Sequence, residues 1–421
     1  MTSAKDPAPW YSGVTRYQWL VLIIASAGWV FDVYQSQIFA LTAPQLLHAV
    51  LPQSNPAAIK FWKDMFLGAF LLGGATGGLL FGILSDRWGR KSMMVATILM
   101  YSFFSGLTYF AHTLIPVGAL RFLVAMGTGG EWAVAASLVA EVFPARARTQ
   151  AAGIFHASSV LGTWIAALVA WLVASNWRVA YLLSVLPALL VAWVMVSIKE
   201  PPKKQEEATV PADKAGSLGE LLGDARWRKR ALLGMALATV GLSCYWAVHV
   251  AGQDLAQFLL EKNHDPKAAE KAKLAYGFIE TIGGGIGLVS FGPLCAKLGR
   301  KRAFFWSQLA AFLIVPITCY LPQTFGQLLC LLPVFGFFTL CMHAGYAIYF
   351  PELFPTRLRA TGAAFCFNVG RVLAASVLSF SGWLKAHMDI RQAMTLLGCL
   401  FLLGLVVIHF MPETKGKPLP E

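Results

Sequence analysis

Apolar residues in this chain are collected into long runs, with the charged and turn-forming residues gathered between them. The runs fall at 18 to 41, 66 to 84, 93 to 111, 114 to 139, 151 to 174 and 177 to 198. Six more follow at 231 to 258, 272 to 295, 303 to 321, 327 to 350, 361 to 384 and 392 to 411. Each is too long for a strand of a soluble core, and about 20 apolar residues are what a helix needs to cross a bilayer. With lipid outside, a helix satisfies its own backbone at that length, so the pattern predicts twelve membrane-spanning helices. Glycines inside the runs, such as Gly73, Gly74, Gly77 and Gly78, weaken a soluble helix but let neighbouring spans approach closely.

Composition agrees and removes alternatives. Of 421 residues, 57% are hydrophobic and 13% charged, against about 25% charged in an average soluble protein. An ordinary soluble enzyme is excluded, and twelve spans leave little chain for a separate soluble domain. The formal net charge of +13 does not point to nucleic acid, because the basic residues lie between apolar runs and not on a soluble face. The seven cysteines (Cys244, Cys295, Cys319, Cys330, Cys341, Cys366 and Cys399) fall within or at the ends of apolar runs without metal-ligand spacing. They are expected to be reduced packing residues. Met1 to Arg16 lacks the short apolar stretch and small-residue cleavage site of a secretory signal, so the first run is expected to be a retained span.

Basic residues set the orientation. Placing both termini in the cytoplasm assigns 23 of the 34 Lys and Arg to cytoplasmic segments, 9 to external ones and 2, Arg121 and Arg371, to spans. The positive-inside rule favours that topology in a cell membrane. The longest break, Lys199 to Arg230, is rich in Pro, Lys and Glu and reads as a solvated linker. The expected organisation is a six-helix bundle at 1–198, a cytoplasmic linker at 199–230 and a second six-helix bundle at 231–421.

The two halves repeat each other. Gly82-Ile-Leu-Ser-Asp-Arg-Trp-Gly-Arg-Lys91 reappears as Gly292-Pro-Leu-Cys-Ala-Lys-Leu-Gly-Arg-Lys301, at an offset of 210 residues. Glu141-Val-Phe-Pro-Ala-Arg-Ala-Arg148 reappears as Glu352-Leu-Phe-Pro-Thr-Arg-Leu-Arg359, at an offset of 211. Parallel repeats in a membrane protein signal a transporter with its site between them. The first of these segments resembles the signature of the major facilitator superfamily, and the resemblance covers essentially the whole chain. It implies an all-α membrane protein of twelve transmembrane helices in two pseudo-symmetric six-helix bundles rocking about a central cavity. It also implies a cytoplasmic charge network of Asp86, Arg87, Arg90 and Lys91. Glu141 and Arg146, with Glu352 and Arg357, are expected to join it, pairing across the bundles only when that side is closed. Ala296 stands where Asp86 stands in the first copy, which weakens that half of the latch.

An ionisable group inside a span costs at least ~2.5 kcal/mol at the bilayer centre, so each is a functional candidate. Asp32 and Arg121 are expected at similar depths, about 20 Å from the cytoplasmic end, so an ion pair between them is expected. A carboxylate with a breakable Arg partner can bind and release a proton. This resembles the proton-coupled sugar porters, in which an acid on the first span pairs with an Arg on the fourth. Glu131 is expected either to relay protons or to bind a neighbouring span as a protonated acid. Arg371 has no acid nearby in sequence and suits a carboxylate substrate through two parallel hydrogen bonds. His249, Gln253 and Asp254 build a polar stripe on the seventh span, and Glu280 lies near the middle of the eighth. Of the aromatics, Tyr34, Trp132, Tyr245 and Tyr346 are candidates for the pathway or for packing.

Within the superfamily, Gly28-Trp-Val-Phe-Asp32-Val-Tyr-Gln35 resembles the first span of the sialate/lactate:proton symporters, with Gln35 where that group often has a second Asp. His249, Gln253 and Asp254 resemble the seventh-span motif of fungal lactate and pyruvate permeases. The expectation is a secondary transporter, not an enzyme, carrying a small monocarboxylate such as lactate or pyruvate with a proton. Asp32, Arg121 and Glu131 would serve the proton. Arg371, His249, Gln253, Asn368, Gln37 and Tyr34 would serve the anion. A proton-coupled sugar or polyol symporter is the alternative. Neither a cofactor nor nucleic acid is expected, and one chain in the lipid bilayer is expected to work as a monomer.

Overall fold

The computed structural model describes residues 9–51, 56–173, 176–200 and 215–420. Twelve helical segments are long and apolar enough to cross a membrane. In the first half they are α1 Arg16–Val50, α2 Met65–Trp88, α3 Arg90–Phe110, α4 Leu114–Val142, α5 Ala145–Leu172 and α6 Trp177–Ser197. In the second they are α7 Ala225–Lys262, α8 Glu270–Leu298, α9 Arg300–Tyr320, α10 Phe325–Leu353, α11 Thr356–Lys385 and α12 Ile390–Phe410. They coincide with the twelve apolar runs, most of them reaching a few residues past the run's ends, and two of these extensions bear on the architecture. α1 has 35 residues, about 50 Å at 1.5 Å per residue, and so projects beyond a 30 Å hydrocarbon core. α7 begins at Ala225, capped by the Asp224 carboxylate, which accepts from the Arg226 and Trp227 amides. The helix therefore takes in the end of the expected linker.

The spans form two six-helix bundles. α2 packs on α11 and α5 on α8, so each bundle offers equivalent helices to the seam between them. Burial grades the spans: the apolar window of α4 is 83% buried and that of α6 28%, which puts α4 at the centre and α6 at the lipid rim. Small residues set the closest contacts. A Cβ on Gly77 would stand 2.0 Å from the Met126 carbonyl, so only glycine lets α2 and α4 touch there.

The start of α1 and the end of α6 meet at one face, the terminal face, where the Tyr17 hydroxyl bonds to the Lys199 backbone. The repeat is visible here as matched capping. α2 turns into α3 at Gly89 (φ 99°) and α8 into α9 at Gly299 (φ 90°), backbone angles that favour glycine. Glu200, just past α6, accepts from the Arg90 and Lys91 amides. Glu413, just past α12, accepts from those of Arg300 and Lys301. Each carboxylate meets the positive end of a helix.

Candidate functional site

Two ionisable residues from different bundles come within electrostatic reach of each other in the middle of the seam, without an ion-pair contact between them. Asp32 lies sixteen residues into α1 and Arg371 fifteen into α11, each about 23 Å from the terminal face. Asp32 is 7% exposed, and Arg371 is the base whose charge acts on it, with the Thr128 hydroxyl beside it. Below them the Trp132 ring of α4 stacks on Phe367 of α11, centroids 4.2 Å apart, and the Arg371 guanidinium lies 5.1 Å over the Phe367 ring. Trp132 has no exposed surface. The two rings therefore form a floor between the two ionisable residues and the terminal face.

Glu131 of α4 is fully buried beside Asp32, and neither carboxyl oxygen has a hydrogen bond among the described residues. It occupies space left by Gly28 of α1, where a Cβ would stand 2.3 Å from Oε1. A second polar cluster lies inside the C-terminal bundle. His249 Nδ1 is 2.9 Å from Thr339 Oγ1 and 3.2 Å from Glu280 Oε1, with Tyr245 stacked on the imidazole.

The terminal face is closed by hydrogen bonds between the bundles. Asp86 at the end of α2 accepts from the Ala360 amide (3.2 Å), the Thr361 amide (2.8 Å) and the Thr361 hydroxyl (2.6 Å), all at the start of α11. Arg90 holds Asp86 and Glu141 within its own bundle and donates to the Thr356 carbonyl across the seam. Arg359 of α11 reaches back to Glu141 at 2.9 Å. In the other half, Arg300 pairs with Glu352 and donates to the Thr149 hydroxyl of α5 at 2.6 Å.

The pattern of the major facilitator superfamily matches residues 54–261, and that of the sugar (and other) transporter family matches residues 203–421. The chain belongs to the major facilitator superfamily. It is a transporter and not an enzyme, built as an integral membrane protein. It is 28% identical to a probable 4-methylmuconolactone transporter of Cupriavidus pinatubonensis over 97% of this chain and 93% of that one. It is 27% identical to the cis,cis-muconate transport protein of Acinetobacter baylyi, over 84% and 86%. The proton:xylose symporter XylE bound to 6-bromo-6-deoxy-D-glucose shares its fold, with a TM-score of 0.76, 18% identity, and coverage of 96% of this chain and 98% of that one.

Against the superfamily frame, several expected roles move. The Asp32–Arg121 pair is not formed: among the described residues no carboxylate lies at ion-pair distance from Arg121. Its guanidinium sits 5.2 Å from the Phe39 and Tyr181 ring centroids, with Nη1 3.5 Å from the Gln35 carbonyl. Arg371 likewise has no carboxylate at ion-pair distance among the described residues, and Asp32 is the acid whose charge reaches it. Tyr34 does not face the pathway, because its hydroxyl donates to the Ala180 carbonyl of α6 at 3.2 Å. Gln35 is a packing amide, accepting from Ser105 and donating to the Ser184 carbonyl. Asn368 is buried against α2, its Nδ2 2.0 Å from where a Cβ on Gly78 would stand, and bonds to the Ala364 carbonyl. Gln37 and Gln253 are half-buried, while Asp254 is paired with Lys385 at 2.9 Å.

The latch is also redistributed. Asp86, Arg90, Glu141 and Glu352 take part directly, but Arg146 is exposed and its expected place is filled by Arg359. Arg87 donates to the Ala215 carbonyl, and Arg357 pairs with Glu220 at 2.7 Å, so both hold the linker helix Leu218–Gly223. Lys91 bonds to the Met195 carbonyl within its own bundle. Arg359, Arg300 and Thr361 were not singled out in the sequence, although Arg359 and Arg300 stand at repeat-equivalent positions to Arg148 and Arg90.

Proposed function

We propose that the protein carries a small organic carboxylate across the membrane together with a proton, with its terminal face in the cytoplasm. The observation that carries this reading is that Arg371 stands at the seam over the Phe367 ring with no carboxylate at ion-pair distance among the described residues, while Asp32 of the other bundle lies within electrostatic reach. A half-buried cation there is best served by one anion, and two anions around it would leave one charge without compensation. In the empty transporter Asp32 supplies the anion. A substrate carboxylate can replace it through two parallel N–H···O bonds from the guanidinium, provided that Asp32 takes a proton as it is displaced. Proton and substrate then bind together, and the loaded site has the same net charge as the empty one.

Alternating access follows from the same geometry. The latch and the Trp132–Phe367 floor close the terminal face, and rocking the bundles would part both while opening the loaded site to that side. Glu131, beside Asp32, is placed to pass the proton onward. The superfamily relative named for cis,cis-muconate supports an organic anion as cargo, and lactate and pyruvate are the monocarboxylates to try first. The excess of basic residues at the terminal face supports its cytoplasmic assignment. One chain contains both bundles and suffices as a monomer.

The test is uptake of labelled lactate, pyruvate, cis,cis-muconate and xylose into proteoliposomes, with and without an inward proton gradient. Carboxylate uptake should follow the gradient and be abolished by Arg371→Ala. Asp32→Asn should lose gradient-driven accumulation while keeping exchange of labelled for unlabelled substrate. Xylose uptake that survives Arg371→Ala would overturn the carboxylate reading.

A further inference from the structure

We propose that Glu280 and His249 form a second proton-binding site, inside the C-terminal bundle and separate from Asp32 and Arg371. The site draws its purpose from the transport reading but rests on different residues. Glu280 has no exposed surface and neither carboxyl oxygen has a hydrogen bond among the described residues, and His249 Nδ1 lies 3.2 Å from Oε1. The Thr339 hydroxyl spends its hydrogen on the Phe335 carbonyl at 2.7 Å. The 2.9 Å approach of His249 Nδ1 to Thr339 Oγ1 therefore requires the hydrogen to be on Nδ1. With that hydrogen fixed, the pair holds one dissociable proton, on the Glu280 carboxyl or on His249 Nε2. Losing it would leave a bare buried carboxylate.

The charged and titratable neighbours leave no other cation for Glu280. α7 contributes Tyr245 and α8 Tyr276, both beside the pair. α10 contributes Thr339 and His343, and the His343 ring nitrogens have no hydrogen bond among the described residues. On α11, Lys385 is taken by Asp254 and Arg371 faces Asp32. At the start of α12, Arg391 is taken by Asp389.

The backbone is shaped around the pair. The Val250 amide bonds to the Tyr245 carbonyl, five residues back instead of four, and the turn Ala275–Glu280 is widened in the same way. Such π turns occur frequently at functional sites, and here one carries the acid and the other the imidazole. Two glycines make room: a Cβ on Gly252 would stand 2.2 Å from Oε2, and one on Gly336 3.0 Å from Cγ of Glu280. α8 is also a seam helix, since a Cβ on Gly285 would meet Val160 of α5 at 3.3 Å. A change of charge at Glu280 therefore acts one helical turn or so from the surface on which the bundles move.

The test is infrared difference spectroscopy of the full chain in proteoliposomes without substrate, in H2O and D2O, across pH. The expected result is a protonated-carboxyl band that shifts on D2O exchange, converts to carboxylate as pH rises and is missing in Glu280→Gln. In His249→Gln the same band should titrate at a different pH, which tests the site even if Glu280→Gln fails to fold. A band that neither exchanges nor titrates, or none assignable to Glu280, would overturn the proposal. With any carboxylate that proves to be transported, the proton-to-substrate ratio from reversal potentials should drop by one in Glu280→Gln, and an unchanged ratio would refute a role in coupling. Titration of Glu280 without uptake of any tested carboxylate would sink the transport reading and leave this site standing.

Discussion

Replacing Asp86 by Asn should open the terminal face. The carboxylate accepts three hydrogen bonds from the first turn of α11, at 3.2, 2.8 and 2.6 Å, and these bonds exist only while the bundles are together. Bonds to a charged group contribute about 1.5–3 kcal/mol each. An Asn keeps one acceptor oxygen and turns an amine toward donors, so about two of the three bonds are lost. The loss is then on the order of 3 kcal/mol, or roughly a hundredfold shift from closed to open at 1.4 kcal/mol per factor of ten. Arg90 keeps Glu141 at 2.8 Å, so no isolated buried cation is left to unfold the protein. Trp88 on α2 and Lys229 on α7 are exposed on opposite bundles on the α2–α11 side, since α7 packs on α11, and spin labels there would report the separation. Exposed Cys330 and Cys399 would first be replaced by Ser. The wild type should give one short distance and Asp86→Asn a longer one. An unchanged distribution in a folded Asp86→Asn protein would refute the reasoning.

With the same labels, Arg359→Ala should shift the distance toward the open state, since it breaks the 2.9 Å bond to Glu141 across the seam. Arg146→Ala should change it by less than about 0.5 kcal/mol, as expected of an exposed side chain. Gly78→Ala places a methyl 2.0 Å from Asn368 Nδ2 of the other bundle, and Gly77→Ala one 2.0 Å from the Met126 carbonyl of its own. Overpacking costs about 1–3 kcal/mol, so the first should open the terminal face and the second lower the thermal midpoint without a preference between states. Burial raises the Glu413 pKa, but the backbone N–H bonds it accepts outweigh that and leave it lowered. A lowered folded pKa gives stability that is present above the unfolded value of about 4.3 and lost as pH falls through the folded one. Glu413→Gln should therefore flatten the decline of the thermal midpoint below about pH 4, and an equally steep decline would remove Glu413 as its source.

Depth along the membrane was partly legible in the sequence, and direction around each helix much less so. Run lengths gave the twelve spans, and the repeated segments pointed to Asp86, Arg90, Glu141 and Glu352, which bond at the terminal face, but not to Arg359, Arg300 or Thr361, which bond across the seam there too. At 1.5 Å per residue Asp32 was given about the right depth, but Arg121 was not: α4 runs 29 residues, longer than a 30 Å core needs, and leaves Arg121 21 residues, about 31 Å, from the terminal face, beyond the level of Asp32 and Arg371. Rotation has to be added to depth. Tyr34 follows Asp32 by two residues, about 200° around the helix, so an Asp32 facing the seam turns Tyr34 toward α6. Similar reasoning separates Arg146 from the inward-facing Ala147. Contacts formed by chain far away in sequence, such as Glu200 on Arg90 and Glu413 on Arg300, leave no local pattern. Nor does the meeting of Glu280 with His249, which depends on two π turns and two glycines on three helices.

The repeat breaks its own symmetry where function would use it. Both halves keep the Arg that holds the acid of the following even-numbered span, Arg90 on Glu141 and Arg300 on Glu352. Only the first half also places a carboxylate, Asp86, on the opposing helix N-terminus. At the equivalent Ala296 position the second half relies on apposed backbones, with a Cβ on Gly153 only 3.3 Å from Gly292, and on the neutral acceptor Thr149. A tight apolar contact can slide or tilt at little cost, whereas a helix terminus on a carboxylate is either engaged or not. If the bundles rock, the α2–α11 side is therefore expected to decide whether the terminal face is closed, with the α5–α8 side as the pivot. Asp32 and Arg371 belong respectively to α1 and to the latched helix α11. Releasing that latch would then move Arg371 relative to Asp32 directly, and on the proposed reading this would tie access at the terminal face to the two central residues without any intermediate element.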